Sequence, residues 1–261
     1  FLTKALGMPA ALAGAIPMVG KVWDAITDPI MGNITDRTTS KFGPKRLYIL
    51  IGGILSAIAF ILLWTTIPSR STTALFVYYI VIYCLFSTCF TIIMVPYNGL
   101  LPDMVDSYDV RSKFSSLRMI WSTVGAILAG LIPTLMIKDT LNTSMYLKVA
   151  VIFGVLFGIA AFVTFAGTWE KVKPPVKTRL RDSFSEASSV FKSRSFKIFI
   201  GIYLSGQCAM DFVSGMAIYY VDDVLQGYDK GYLTMLMGVL LSSQLIGMLI
   251  FTPIMTRTSK R

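Results

Sequence analysis

Apolar stretches long enough to cross a bilayer recur along this chain from one end to the other. A helix rises about 1.5 Å per residue, so a hydrocarbon layer of about 30 Å needs about 20 apolar residues. Seven such stretches can be marked, at about 8–32, 46–67, 74–101, 115–137, 146–168, 197–224 and 231–255. A composition of 54% hydrophobic against 15% charged residues is unusual for a soluble protein, and the spread of these stretches along the whole chain, more than the total, points to a membrane. Hydrocarbon admits only helices or closed barrels, and these runs have helix length. The chain reads as an all-α polytopic membrane protein whose standing partner is the lipid bilayer.

A net charge of +10 could point to nucleic acid, but its placement argues against that partner. The first, third and fifth connections (33–45, 102–114 and 169–196) hold twelve of the 24 lysines and arginines, and Arg257, Lys260 and Arg261 close the chain. The alternate connections hold only Arg70, Lys138 and Lys230. Loops rich in Lys and Arg stay on the cytoplasmic side, so those three connections are expected to be cytoplasmic. Histidine is absent from the sequence, which removes histidine metal ligands and Ser–His catalysis within this chain. An enzyme is not expected.

The longest connection, 169–196, carries Pro174 and Pro175 and then Leu180, Phe184, Ala187, Val190 and Phe191 at helical spacing between charges. It is expected to hold a short amphipathic helix on the membrane surface and to divide two helical bundles, 1–168 and 197–261. "DPIMGNITDRTTSK" from Asp28 is echoed by "TPIMTRTSK" from Thr252. If the first and seventh helices are equivalent, the spacing is that of two six-helix repeats, the major-facilitator architecture.

The first apolar stretch contains Lys21, Asp24 and Asp28. At 100° per residue the three project within about 60° of one helix face over two turns. A carboxylate at mid-membrane costs at least ~2.5 kcal/mol, so it faces a cavity or a partner. One reading pairs Lys21 with Asp24 and lets Asp28 reach cytoplasmic water. The other is a coupling-cation site: carboxylate oxygens can replace the hydration shell of Na⁺ or Li⁺, or share a proton, with Thr27 adding a hydroxyl.

"WDAITDPIMGNITDRT", "KFGPKR" and "VPYNGLLPDMVDSYDVRSKFSSLR" resemble the glycoside–pentoside–hexuronide:cation symporters of the major facilitator superfamily. The resemblance implies a major-facilitator fold seen as helices two to eight of twelve, with helices two to six in 1–168 and helices seven and eight in 197–261. It implies cation-coupled uptake of a sugar, glycoside or uronide across a bacterial cytoplasmic membrane by a monomer, with Na⁺ or H⁺ as coupling ion and no other cofactor. Asp24 and Asp28 would be the cation-binding carboxylates, holding the metal where the ion is Na⁺, with Thr27 and Thr91 as further ligands. Lys21 and Arg118 would lie near the solute. Two family positions differ: Met94 stands where a sugar-binding aspartate occurs, and Asn98 where a sugar-stacking tryptophan occurs. A galactoside site is therefore not expected.

Further candidates for the solute site are Tyr97, Trp121 and Asp211, with Asn98 beside them. Aromatics at helix ends also serve as interface anchors, Arg118 could be a cytoplasmic-end charge, and Asp211 could pair with a cation across the bundles. Gly32, Asp36 and Arg37 resemble the gate motif between the family's second and third helices. The bland reading of that loop is a solvated charged turn.

Overall fold

A computed structural model describes residues 1–3, 5–67, 71–137, 142–170 and 193–219, and beyond these only 235, 238–239, 242–243, 246–247 and 250. Among the described residues six long helices follow one another: α1 (Ala10–Arg37), α2 (Pro44–Leu63), α3 (Thr72–Met104), α4 (Tyr108–Met136), α5 (Thr143–Gly167) and α6 (Arg194–Tyr219). No strand occurs among the described residues. The surface helix expected within 169–196, most of the seventh apolar stretch and the second Pro-Ile-Met segment lie outside the described residues.

Helices α2, α3 and α5, with Tyr108–Pro133 of α4, are long and apolar enough to cross a membrane on those grounds alone. Helix α1 has the length, but Lys21, Asp24 and Asp28 lower its hydropathy. The ends are set locally. The Ser71 side chain caps α3 by accepting from the Ala74 N–H at 3.5 Å, and Asn142 caps α5 by accepting from the Ser144 N–H at 3.1 Å. Helix α2 has no such cap of its own: Gly43, at φ 92°, turns the chain into Pro44. The orphan Lys45 N–H is met instead by the Glu170 carboxylate, 3.0 Å away beyond the end of α5.

Two connections are shorter than the hydropathy pattern implies. Helix α1 runs on through Asn33–Arg37, so Gly32, Asp36 and Arg37 sit in its last two turns and only Thr38–Gly43 connect it to α2. Likewise α3 continues to Met104 and α4 begins at Tyr108, leaving Val105–Ser107 in place of 102–114. Hydropathy marks the edge of the hydrocarbon, not the helix end, because helical backbone bonds remain satisfied in the headgroup region. Helix α1 stops where Thr38 donates to the Ile34 carbonyl at 2.8 Å and meets the Tyr48 hydroxyl at 2.8 Å.

The chain divides into two compact units, Phe1–Leu117 with Leu128–Lys177, and Arg118–Ile127 with Thr178–Arg261. In the first, α2 packs between α3 and α5, and α1 packs on α3. Its outward faces are apolar: Val155, Leu156, Ile159, Phe162 and Val163 of α5 are all exposed. Such a surface is costly in water and at home in lipid. Tyr79 is buried at one end, beside Met8, Ile16 and Leu75, and donates to the Thr65 carbonyl at 2.9 Å. In the second unit α6 exposes Ile198, Phe199, Ile202 and Tyr203.

Candidate functional site: a carboxylate–hydroxyl seam between α1 and α3

Helices α1 and α3 run in the same direction with a constant offset between facing residues. Gly20 faces Tyr83, Asp24 faces Ser87, Asp28 faces Thr91, and Gly32 faces Val95. Each rung lies four residues beyond the last on both helices, so the register holds over about three turns. Gly20 is required by the close approach, since a Cβ there would run into the Tyr83 ring.

The two middle rungs are polar. The Ser87 hydroxyl donates to Oδ1 of Asp24, and the Thr91 hydroxyl donates to Oδ1 of Asp28 at 2.8 Å. Both hydroxyl residues are buried, at 7% and 4% exposure, while the Asp24 side chain is 26% exposed and Asp28 is exposed. Beside them the Trp23 indole N–H donates to the Thr88 hydroxyl at 2.8 Å. Lys21 Nζ lies 3.9 Å from Oδ2 of Asp24, on a side chain 81% exposed. Pro29 and Pro96 interrupt the two helices next to the rungs. A proline frees the carbonyl four residues earlier, here those of Ala25 and Ile92, each adjoining a rung residue.

This arrangement offers carboxylate and hydroxyl oxygens from two helices at one level. Hard oxygen ligands of that kind suit alkali cations, and each hydroxyl that donates to a carboxylate keeps lone pairs for a cation. Thr27 does not join them. Its hydroxyl turns back along α1 toward the Trp23 carbonyl at 3.2 Å and the Asp24 carbonyl at 3.5 Å. Beside the first rung is an apolar cavity of about 330 Å³ lined by Ile16, Pro17, Trp64, Tyr79 and Tyr83, and neither aspartate lines it.

Of the other expected site residues, Asn98 is exposed and Tyr97 partly buried on α3. Asn98 follows Thr91 by seven residues, which puts it on the same helix face. Arg118, Trp121 and Asp211 belong to the second unit and are exposed there, with Gln207 Nε2 donating weakly to Asp211 at 3.4 Å. Arg118 stands well inside α4 rather than at its start. Gly32 is partly buried against Val95, and Asp36 and Arg37 are exposed at the end of α1.

A second polar cluster gives "KFGPKR" a structural role that its sequence did not reveal. Lys45 pairs with Asp103 and donates to the Gly99 carbonyl at 2.8 Å, which ties α2 to the end of α3. Arg46 donates to the Phe165 carbonyl at 2.6 Å and lies over the Phe165 ring at 4.9 Å, which ties α2 to α5. Burial pushes the Glu170 carboxyl above its ordinary range, against the opposing pull of the Lys45 and Arg46 backbone N–H groups and the Lys45 charge. Together these contacts brace the end of the seam nearest Gly32.

Comparison with known proteins matches residues 1–261 to a family model described as MFS/sugar transport protein. An inner membrane symporter of Escherichia coli is 27% identical over 86% of this chain and 49% of its own length. An isoprimeverose transporter of Lactiplantibacillus pentosus is 28% identical over 69% of this chain and 40% of its own. A sodium-dependent lysophosphatidylcholine symporter of Xenopus tropicalis is 29% identical over 49% of this chain and 24% of its own. The chain thus spans half or less of the length of these relatives.

Proposed function

The chain belongs to the MFS/sugar transport protein family, and from that premise we propose that it is part of a secondary transporter carrying a sugar, glycoside or uronide with Na⁺ or H⁺ across a bacterial cytoplasmic membrane. The observation that carries the proposal is the pair of rungs Asp24–Ser87 and Asp28–Thr91. Two acids on a membrane helix, each held by a hydroxyl from a neighbouring helix, are costly unless they meet water or a cation, and Lys21, 3.9 Å from Asp24, meets only one of them. The ion binds between α1 and α3, neutralises the carboxylates and fixes the faces of both helices. The solute, for which Lys21, Tyr97 and Asn98 of the first unit and Arg118, Trp121 and Asp211 of the second are candidate contacts, then binds better with the ion present. By linkage the ion binds better with the solute present. Asp36 and Arg37, with Gly32, bias the inward-closed state by contacts that differ between conformations. No cofactor beyond the coupling ion and no covalent step on the solute is involved.

A second reading is favoured by one observation. Met94 and Asn98 remove the carboxylate and the stacking ring expected of a galactoside site, and one relative is named for a lysophospholipid and sodium. A non-sugar solute, a lipid or an organic acid, is therefore the alternative, and the lysophospholipid relative favours the lipid. One experiment separates the two: uptake by the full-length protein in vesicles, against a panel of sugars, glycosides, uronides and lysophospholipids, with Na⁺ and pH varied separately. Cation-driven accumulation of a sugar class supports the first reading. Accumulation confined to the lysophospholipids selects the second, and no cation dependence for any solute contradicts both.

A further inference from the structure

Ser87 lies in none of the sequence motifs, yet its hydroxyl is the donor to Asp24. A helical serine or threonine in an apolar setting usually satisfies itself by donating to the carbonyl four residues back. Thr88, the next residue, does so, giving its proton to the Cys84 carbonyl at 2.8 Å. Ser87 forgoes that local bond and spans to α1 instead. The choice is not forced by packing alone, because the same helix one residue on offers the local solution.

The two oxygens of Asp24 are also divided. Oδ1 receives the Ser87 proton, and Oδ2 faces the ammonium of Lys21 at 3.9 Å. Lys21 is mostly in the open and can withdraw, whereas Ser87 is buried and cannot. We propose that Ser87 is a positioning residue for the cation site: it holds Asp24 by Oδ1 in the orientation that presents Oδ2 to Na⁺, as Thr91 does for Asp28 from one turn further along. Without it the carboxylate turns freely between Lys21 and water, and Na⁺ binding bears the cost of fixing it. The inference rests on the cation reading above.

The test is Na⁺ binding by the purified full-length protein, followed by calorimetry with choline chloride holding ionic strength constant. Wild type should give a saturable heat and Asp24→Asn none. Ser87→Ala should weaken Kd roughly ten- to a hundredfold, the size expected for a lost hydrogen bond to a charged group. Ser87→Thr, which restores the hydroxyl, should return Kd to within about twofold of wild type. In transport the Na⁺ concentration for half-maximal rate should rise in Ser87→Ala while the rate at saturating Na⁺ stays the same. A packing role would leave Kd unchanged, or would not be rescued by threonine, and either result overturns the proposal. Should Ser87→Ala fail to fold, Ser87→Cys carries the test: its weaker S–H donor predicts an intermediate Kd, and a wild-type value overturns it. Absence of Na⁺ binding by wild type itself would bring down the sodium site as a whole, which is a different failure.

Discussion

Thr91 on α3 donates a 2.8 Å hydrogen bond to the carboxylate of Asp28 on α1, one turn from the matching pair of Ser87 and Asp24. Thr91→Val keeps the shape and removes the donor. A hydrogen bond to a charged group is worth about 1.5–3 kcal/mol, so cation affinity should fall roughly ten- to a hundredfold. Thr91→Ser should stay near wild type. The measurement is the cation dependence of uptake by the full-length protein, and an unchanged half-saturation in Thr91→Val would refute the contact's role.

The seam's spacing depends on Gly20 against the Tyr83 ring. Gly20→Ala should force the helices apart or out of register, at about 1–3 kcal/mol for an overpacked contact. Combining it with Tyr83→Ala should recover most of that loss, since the obstructing ring is gone. Thermal unfolding in detergent of the two single variants and the double variant decides it. Strictly additive losses would show that the two residues do not meet.

Lys45 and Asp103 are both largely buried, at 15% and 12% side-chain exposure. Removing the lysine takes the counter-charge from a largely buried carboxylate, and Lys45→Met should cost about 3 kcal/mol. The double variant Lys45→Met with Asp103→Leu should be the more stable of the two. If Lys45→Met alone is neutral, the pair does not brace α2 on α3.

Glu170 gives a pH dependence whose sign is fixed. Its pKa is raised in the folded protein by burial, so the folded state holds the proton to higher pH than the unfolded chain. Its contribution to stability is full below the ordinary value of 4.5 and is lost as pH rises through the raised value. Glu170→Gln, which can still accept the Lys45 N–H, should flatten the decline in apparent Tm on raising pH from about 4.5 toward neutrality. Equal slopes in the two proteins would contradict this.

Much of the architecture was legible because hydropathy and helix length are tied by the thickness of the bilayer. The spacing of Asp24 and Asp28 was equally plain, since four residues return to one helix face. Thr91 came from the resemblance alone. Ser87 was missed because a serine in an apolar helix usually bonds to its own backbone, and its facing of Asp24 depends on the length of α2 and its two turns. A signal was present all the same: Ser87 and Thr91 repeat the four-residue spacing of the two aspartates. Thr27 lies between the two aspartates in sequence, and its hydroxyl bonds back to the preceding turn, as a helical threonine readily does. Glu170 carries no such signal, because nothing in sequence links it to an uncapped helix more than a hundred residues earlier.

If Asp24 and Asp28 hold the coupling ion, loss of both charges must abolish uptake against a gradient. The solute identified by the uptake panel is offered to vesicles containing the full-length protein with Asp24→Asn and Asp28→Asn together, under an imposed Na⁺ or proton gradient. Internal solute should rise no higher than the external concentration. Accumulation above that level, as in wild type, would show that the two carboxylates do not hold the ion.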